Sequence, residues 1–241
     1  MSDATPREAD PREILKASQR FDLVFKLAMA KAILGGDAAE IRTASEAYLE
    51  SVRARNGLYE EEPRRRGAAD FLASIRRTVE SIRAKGYDPH APAIPVDAHG
   101  ELLNGAHRLT ACVACGCPCR TVASDAYPAG GSVMRTFVKG HIPPAVLNWG
   151  VRKYCELIPD GRLRAAFGPL ENYPALPFPD WTRRRTWPYR VKPLLTMLWC
   201  RLCLPFKRGE KAAKVRRRLL RARNQFGGYA ALASYWKEHA Q

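Results

Sequence analysis

One short segment, Ile94 to Cys112, constrains the fold more than any other part of the chain. Ile94 to Val96 is a short apolar run in which a proline is tolerated at a sheet edge, and the turn residues Asp97 to Gly100 follow it. Glu101 to Leu103 can then return as the partner strand of a hairpin. The sequence therefore predicts that the next residues lie at the edge of a small sheet.

The corner after this hairpin has the chemistry of a phosphate site. Asn104 and Gly105 form the corner, and glycine has no Cβ to obstruct a ligand. The helix that begins there offers unpaired backbone N–H groups and the positive end of its dipole. His107 and Arg108 add side-chain donors, and a guanidinium can grip a phosphate in a bidentate manner. We therefore expect Asn104, Gly105, Ala106, His107 and Arg108 to hold phosphate groups.

This segment resembles the ParB/sulfiredoxin-like superfamily, whose members place a Gly-x-His-Arg or Gly-Glu-Arg-Arg motif at such a corner. The resemblance covers about Asn56 to Val122 and includes the loop Glu62-Pro63-Arg64, a helix from Ala68 to Lys85, and the stretch from Gly86 to Val96. It implies an α+β fold, with a small mixed sheet and helices. It also implies a nucleotide ligand, ATP or another nucleoside triphosphate or diphosphate, together with Mg²⁺.

Departures from the family pattern narrow the implied activity. Ala106 stands where sulfiredoxin carries its reactive cysteine, which argues against sulfinic acid repair. Asn104 stands where many relatives have an aspartate, and an amide can hydrogen-bond but cannot act as a base. The Gly-Glu-Arg-Arg motif and a helix-turn-helix pattern are both absent from the sequence, which argues against chromosome partition. The resemblance to the free serine kinase of this superfamily then implies an ATP-dependent kinase acting on a small hydroxyl acceptor.

The resemblance also suggests where a catalytic base comes from. In the serine kinase an acid from the loop before the first domain helix serves, and the matching positions here are Glu60, Glu61 and Glu62. Asp97 is an alternative if the hairpin turn folds over the corner, and Arg64 is expected to clamp the nucleotide. In the competing interpretation, Arg108 pairs with a glutamate of the loop, and His107 is only a histidine at a helix start.

Two functional hypotheses remain from the sequence. The first is a phosphotransferase whose acceptor is a sugar or surface-glycan intermediate at or near a membrane. A resemblance to ParB-fold proteins associated with bacterial surface-polysaccharide gene clusters suggests this acceptor. The second is a non-catalytic nucleotide-binding module that binds membrane or nucleic acid, and the loss of an acid at Asn104 motivates it.

The chain divides into three segments by pattern. Residues 1–56 form an N-terminal helical extension, with one helix from about Asp10 to Leu34 and a second from Asp37 to about Asn56. Residues 57–140 form the nucleotide-binding domain, and Ser124 to Pro144 reads as a loop. Residues 141–241 form a basic C-terminal extension of helices and loops.

Positive charge is concentrated in the C-terminal extension. The whole chain has a net charge of +16, and the 16 basic and two acidic residues from Trp181 to Gln241 supply +14 of it. The apolar run from Pro193 to Phe206 lies next to the cluster Arg216-Arg217-Arg218. Residues 193–223 are therefore expected to contact an anionic membrane surface, with core-packing helices and nucleic acid binding as the alternatives.

The cysteines and the polar N-terminus predict a compartment. Seven cysteines in a chain without an export signal are expected to be free thiols, and the protein is expected in the cytoplasm or on the inner face of the membrane. The closely spaced thiols from Cys112 to Cys119 would need a remote pair, Cys200 and Cys203, to complete a zinc site. We therefore expect no metal there.

Overall fold

The computed structural model describes residues 5–61, 64–125, 134–178, 187–207 and 209–239, which form a mixed α+β fold dominated by helices. The strands are β1 (Arg7–Ala9), β2 (Tyr59–Glu60), β3 (Arg65–Arg66), β4 (Ile94–Val96) and β5 (Cys119–Ala123). The helices are α1 (Pro11–Ala17), α2 (Asp22–Gly35), α3 (Ala38–Asn56), α4 (Gly67–Lys85), α5 (Ala106–Cys115), α6 (Met134–Lys139), α7 (Pro144–Leu157), α8 (Arg164–Phe167), α9 (Trp187–Cys203) and α10 (Gly209–Glu238).

The larger sheet has three strands in the order β1-β5-β4. The central strand β5 pairs antiparallel with β1 and parallel with β4, and α5 forms the connection between the two parallel strands. The predicted return after β4 is confirmed as a single antiparallel bridge between Val96 and Leu102. Asp97 closes the turn, because its Oδ1 accepts the N–H groups of His99 and Glu101. The corner at Asn104 therefore follows directly on the sheet, as predicted.

Helix α2 lies at the centre of the molecule and packs against α3, α4, α5 and α7. Its phenylalanine Phe25, with Phe21 just before the helix, contacts Phe137 of α6 in an aromatic cluster. Gly150 of α7 permits the close approach, since a Cβ there would lie 2.6 Å from the ring of Phe25. Ten of the fourteen residues of α2 are buried, including the charged Asp22 and Lys26.

The single N-terminal helix predicted from Asp10 to Leu34 is wrong, because the chain breaks between α1 and α2. Ser18 ends α1 by donating to the carbonyl of Ile14, and its Oγ accepts the N–H of Leu102. The N–H of Gln19 bonds Glu101. The residues that these contacts join are more than 80 positions apart in sequence. Helical periodicity therefore gives no sign of the break.

The second predicted helix is confirmed as α3. Asp37 caps its start by accepting the N–H of Glu40 at 2.8 Å, and Gly57 ends it in the left-handed conformation at φ 75°. The predicted loop from Ser124 to Pro144 is wrong at Met134–Lys139, which forms α6. Residues 126–133 of that loop lie outside the described part of the chain.

The C-terminal helices attach through α10, which packs on α3 and α4, while α9 packs on α10. Gly228 of α10 lies so close to α3 that a Cβ there would be 2.1 Å from the carbonyl oxygen of Gly57. Residues from all three predicted segments thus contribute to one hydrophobic core. Among the described helices, none is both long enough and apolar enough to cross a bilayer.

Candidate functional site

The start of α5 is a tight corner with free backbone donors. Gly105 adopts φ +83°, and a Cβ there would lie 3.1 Å from Nη2 of Arg108 and 3.4 Å from the side chain of Ile94. Asn104 is exposed, and its Oδ1 accepts the N–H of Gly105 at 2.7 Å. The N–H groups of the first turn, including that of Ala106, have no intrahelical partners, as at any helix start. No described side chain caps them at Gly105.

Arg108 points its guanidinium at the loop before β4. It donates to the hydroxyl of Tyr87 at 3.0 Å and to the carbonyl of Pro92. These bonds fasten α5 to that loop. The described glutamates of the loop, Glu60 and Glu61, have other partners, and Arg108 supports the corner from outside.

His107 points inward, between α3 and β3. Its Nδ1 lies 3.2 Å from Nη1 of Arg65, and its Nε2 lies 3.0 Å from the hydroxyl of Tyr48. A guanidinium only donates, so Nδ1 accepts and the proton is on Nε2, which donates to Tyr48. Burial lowers the pKa of His107 well below its usual value, and the charges of Lys26, Arg65 and Arg55 act in the same direction. The ring is therefore neutral and both its nitrogens are engaged.

Glu60 links two arginines. It lies opposite Arg65 in the β2–β3 pair, and its Oε2 is 2.8 Å from Nη2 of that residue. Its Oε1 accepts from Arg55 at 2.8 Å and from Asn56 at 3.1 Å. Both carboxylate oxygens of this candidate base are therefore already engaged, Oε1 by hydrogen bonds and Oε2 by an ion pair.

Asp22 is the second acidic centre, buried in the first turn of α2. Arg20 grips it through two nitrogens at 3.2 and 3.0 Å, Arg55 approaches to 3.5 Å, and Lys26 bonds it from one turn later. Burial opposes the ionisation of Asp22, but the charges of Arg20, Lys26 and Arg55 outweigh it and hold its pKa well below the usual value. Asp22 is thus a permanent anion.

Lys26 is a buried cation of this group whose pKa is shifted towards neutral pH. Burial lowers its pKa to about 7, against the attraction of Asp22, and the charges of Arg55 and Arg20 reinforce burial. Lys26 is therefore half deprotonated near pH 7, whereas an exposed lysine remains protonated there.

These side chains form one connected set next to the corner, which we call the basic cluster: Arg20, Lys26, Arg55 and Arg65 with the carboxylates of Asp22 and Glu60. Arg20 joins it to the corner by donating to the carbonyl of Leu103 at 3.2 Å. Within the described residues, Nε of Arg65 and Oδ1 of Asn56 are buried without a hydrogen-bond partner. An excess of cations with an unsatisfied donor is an arrangement suited to an anion.

Two other predicted site residues, Glu61 and Arg64, lie outside this cluster. Glu61 is exposed and accepts from the hydroxyl of Tyr59, and Arg64 is exposed in the loop between β2 and β3. Glu62 lies outside the described residues.

Sequence reasoning missed Arg20, Asp22, Lys26, Arg55 and Tyr48. The available signal was Asp22 and Lys26, two opposite charges four residues apart in a helix whose one other charged residue is the exposed Lys31.

The closely spaced cysteines lie away from the basic cluster. Burial raises the pKa of Cys119 to about 11 and also raises that of Cys112, which keeps both as thiols. In the described part of the chain, no group of three or more His, Cys, Asp or Glu side chains could share a metal ion.

Comparison of the chain with models of protein families, with curated proteins and with solved structures gave no match.

Proposed function

We propose that the protein is a nucleotide-dependent phosphotransferase that binds the nucleotide phosphates between the start of α5 and the basic cluster. The observation that supports this most strongly is the charge of the cluster. Four cationic side chains stand against two carboxylates, so the cluster is +2 when Lys26 is protonated. A net positive charge that is partly withdrawn from water attracts a multiply charged anion.

Each part of the corner has a role in this proposal. Gly105 lets the phosphate approach the backbone, and the N–H groups of Ala106 and His107 donate to it. Asn104 keeps its amide NH₂ free to donate, since its Oδ1 is used by Gly105. His107 holds Arg65 in place, and Arg108 holds α5 in place. Both are positioning residues.

The reaction proposed is transfer of the γ-phosphoryl group of ATP, or of a related nucleotide, to a hydroxyl. The hydroxyl oxygen attacks the γ-phosphorus, the bond to the bridging oxygen breaks, and a nucleoside diphosphate leaves. The hydroxyl proton passes to a base. The arginines of the basic cluster would stabilise charge on the transferred group. The family likeness suggests a sugar or surface-glycan intermediate as the acceptor.

The described residues fit the phosphates better than they fit Mg²⁺. All four carboxylate oxygens of Asp22 and Glu60 accept from cations or an amide, so neither residue offers an oxygen to a metal as arranged here. The Nε of Arg65, by contrast, is a buried donor without a hydrogen-bond partner among the described residues, and an anion would satisfy such a donor. No step of the proposal passes through a metal held by these side chains.

A second candidate function is a nucleotide-binding module without catalysis. The occupied carboxylate of Glu60 favours it, because a base must be able to accept the proton of the acceptor. The two candidates share the phosphate site and differ in turnover. An enzyme consumes nucleotide when an acceptor is present, while a module only binds it.

Binding and turnover should be measured on the same variants. We expect Arg65→Ala to weaken ATP binding at least about tenfold, since a charged hydrogen bond contributes about 1.5–3 kcal/mol. Arg66→Ala is the matched control, because Arg66 is the exposed neighbour on the same strand and should bind ATP like the wild type. Equal affinity in Arg65→Ala and the wild type would reject the site.

Turnover is tested with γ-labelled ATP, Mg²⁺ and a panel of sugars, glycan precursors and amino acids. Labelled ester formed by the wild type and by Arg66→Ala supports the phosphotransferase. ATP binding without label transfer to any acceptor of the panel supports the binding module instead.

A further inference from the structure

The outer face of α9 carries an apolar ridge. Leu194, Leu195, Leu198, Trp199 and Leu202 recur at helical spacing, so they share one face of the helix, and Phe206 follows in the connecting turn. All six side chains are exposed, Leu202 to 63% and Phe206 to 83%. We call these six residues the apolar ridge. Contiguous exposed apolar side chains usually mark an interaction surface.

The opposite face of α9 is already used for packing. Cys200 is fully buried, and Thr196, Met197 and Cys203 are half-buried on the side towards α10. The orientation of the helix is therefore set by α10, and the apolar ridge is the face that remains exposed in the described structure.

Cationic side chains border the ridge. The guanidinium of Arg218 lies 5.0 Å from the ring centroid of Trp199, which joins the charge of α10 directly to the ridge. Further cations of α9, α10 and the turn between them are exposed, among them Arg201, Lys207, Lys211, Lys214 and Arg216. Between residues 187 and 237 the sequence has a single acidic residue, Glu210. The apolar ridge thus lies in a strongly cationic part of the chain, and Arg218 contacts it directly.

We propose that the apolar ridge and its cationic border dock on an anionic phospholipid surface, with α9 lying in the plane of the membrane. The leucines and the two aromatic rings would enter the boundary between headgroups and acyl chains, and the lysines and arginines would pair with anionic headgroups.

Charge and composition favour lipid over two other occupants. A second copy of this chain would bring the same positive border against this one, which is unfavourable. Nucleic acid would match the charge, but it would leave four leucines in contact with water and phosphate. An anionic bilayer offers both an apolar layer and negative charge.

Vesicle flotation tests the proposal with full-length protein. One vesicle preparation is phosphatidylcholine alone, and in the other a third of the lipid is phosphatidylserine. Leu198→Glu and Leu202→Glu place a charge in the exposed ridge without touching the core. Leu176→Glu is the matched control, because Leu176 is also exposed but lies outside the ridge. Circular dichroism checks that each variant is folded.

We expect the wild type and Leu176→Glu to float with the phosphatidylserine vesicles and much less with the neutral ones. Either ridge variant should lose at least 90% of the floated protein. Lys211→Ala and Lys214→Ala should each weaken binding about fivefold, whereas Lys85→Ala on α4 should not. Added salt should weaken binding of the wild type.

Three results would overturn the proposal. The first is a wild type that stays with the unbound protein at low salt, and the second is flotation of Leu198→Glu equal to that of the wild type. The third is a finding that Leu198→Glu and Leu202→Glu abolish binding to duplex DNA, or dimer formation, but leave vesicle binding unchanged.

Discussion

Nη1 of Arg65 lies 3.2 Å from Nδ1 of His107, and this contact decides which ring nitrogen carries the proton. We predict that His107 stays neutral, with its proton on Nε2, from pH 5.5 to 8, because burial and nearby cations lower its pKa. Long-range ¹H–¹⁵N NMR would show this, and His107→Gln assigns the signals. A doubly protonated ring within that range would contradict the prediction.

The same pKa shift predicts a dependence of stability on pH. Below about pH 6.5, the usual pKa of histidine, the unfolded chain binds a proton at residue 107 that the folded protein does not bind. The free energy of unfolding should therefore fall as the pH drops below that value. Denaturant titrations should show a smaller fall in His107→Gln, and identical profiles would argue against the shift.

Lys26 should make anion binding depend on pH. Its pKa of about 7 means that the basic cluster loses one positive charge as the pH rises from 6 to 8. Sulfate is the suitable probe, since it does not titrate in this range. We expect sulfate affinity to fall several-fold in the wild type, whereas Lys26→Met should bind weakly at both pH values. A wild-type affinity independent of pH would show that Lys26 keeps one charge state.

Lys26 also affects stability at higher pH. Between pH 7 and 10.5 the unfolded chain holds a proton on Lys26 that the folded protein has released, so this residue makes stability rise with pH across that window. The slope of unfolding free energy against pH should be lower in Lys26→Met than in the wild type.

Glu60→Gln separates binding from catalysis. The amide keeps the shape of the side chain but removes one negative charge between Arg55 and Arg65. Sulfate and ATP should then bind more tightly, by up to about tenfold. If Glu60 is the base of a phosphotransferase, turnover should fall about 100-fold or more while binding improves. Tighter binding with unchanged turnover would remove Glu60 from the catalytic role.

Two adjacent glycines of α10 should respond in opposite ways to alanine. Gly228→Ala places a methyl group against the backbone of Gly57 and should cost about 1–3 kcal/mol of unfolding free energy. Gly227 faces open space, so Gly227→Ala should stabilise the helix by about 0.5–1 kcal/mol. Denaturant unfolding measures both. A neutral Gly228→Ala would mean that α10 does not press against α3.

Local signals in the sequence predicted the elements that local interactions form. Asp37 and Gly57 mark the two ends of α3, and Gly116 marks the end of α5, because caps and left-handed residues act within a few positions. The hairpin return before Asn104 was predicted from turn residues in the same way. These features place the corner correctly.

The rest depends on contacts between distant residues. The break between α1 and α2 exists because Ser18 and Gln19 bond the hairpin return, more than 80 positions later. His107 could be predicted as a donor at the corner, but its partners Tyr48 and Arg65 come from two other elements. Periodicity predicts that α2 packs in the core, but it does not indicate that Asp22 and Lys26 are buried there as a pair.

Strand β1 has a consequence for the order of assembly. Arg7 pairs with Thr121, so the first strand can join its sheet only after the chain has been made as far as β5. Closing so long a loop is entropically slow, and until it closes one edge of β5 has unpaired backbone groups. Such an edge recruits other strands. Strand β1 leaves a shorter edge than β5 would, so we expect removal of Arg7–Ala9 to produce misassembled chains rather than a slightly weaker monomer.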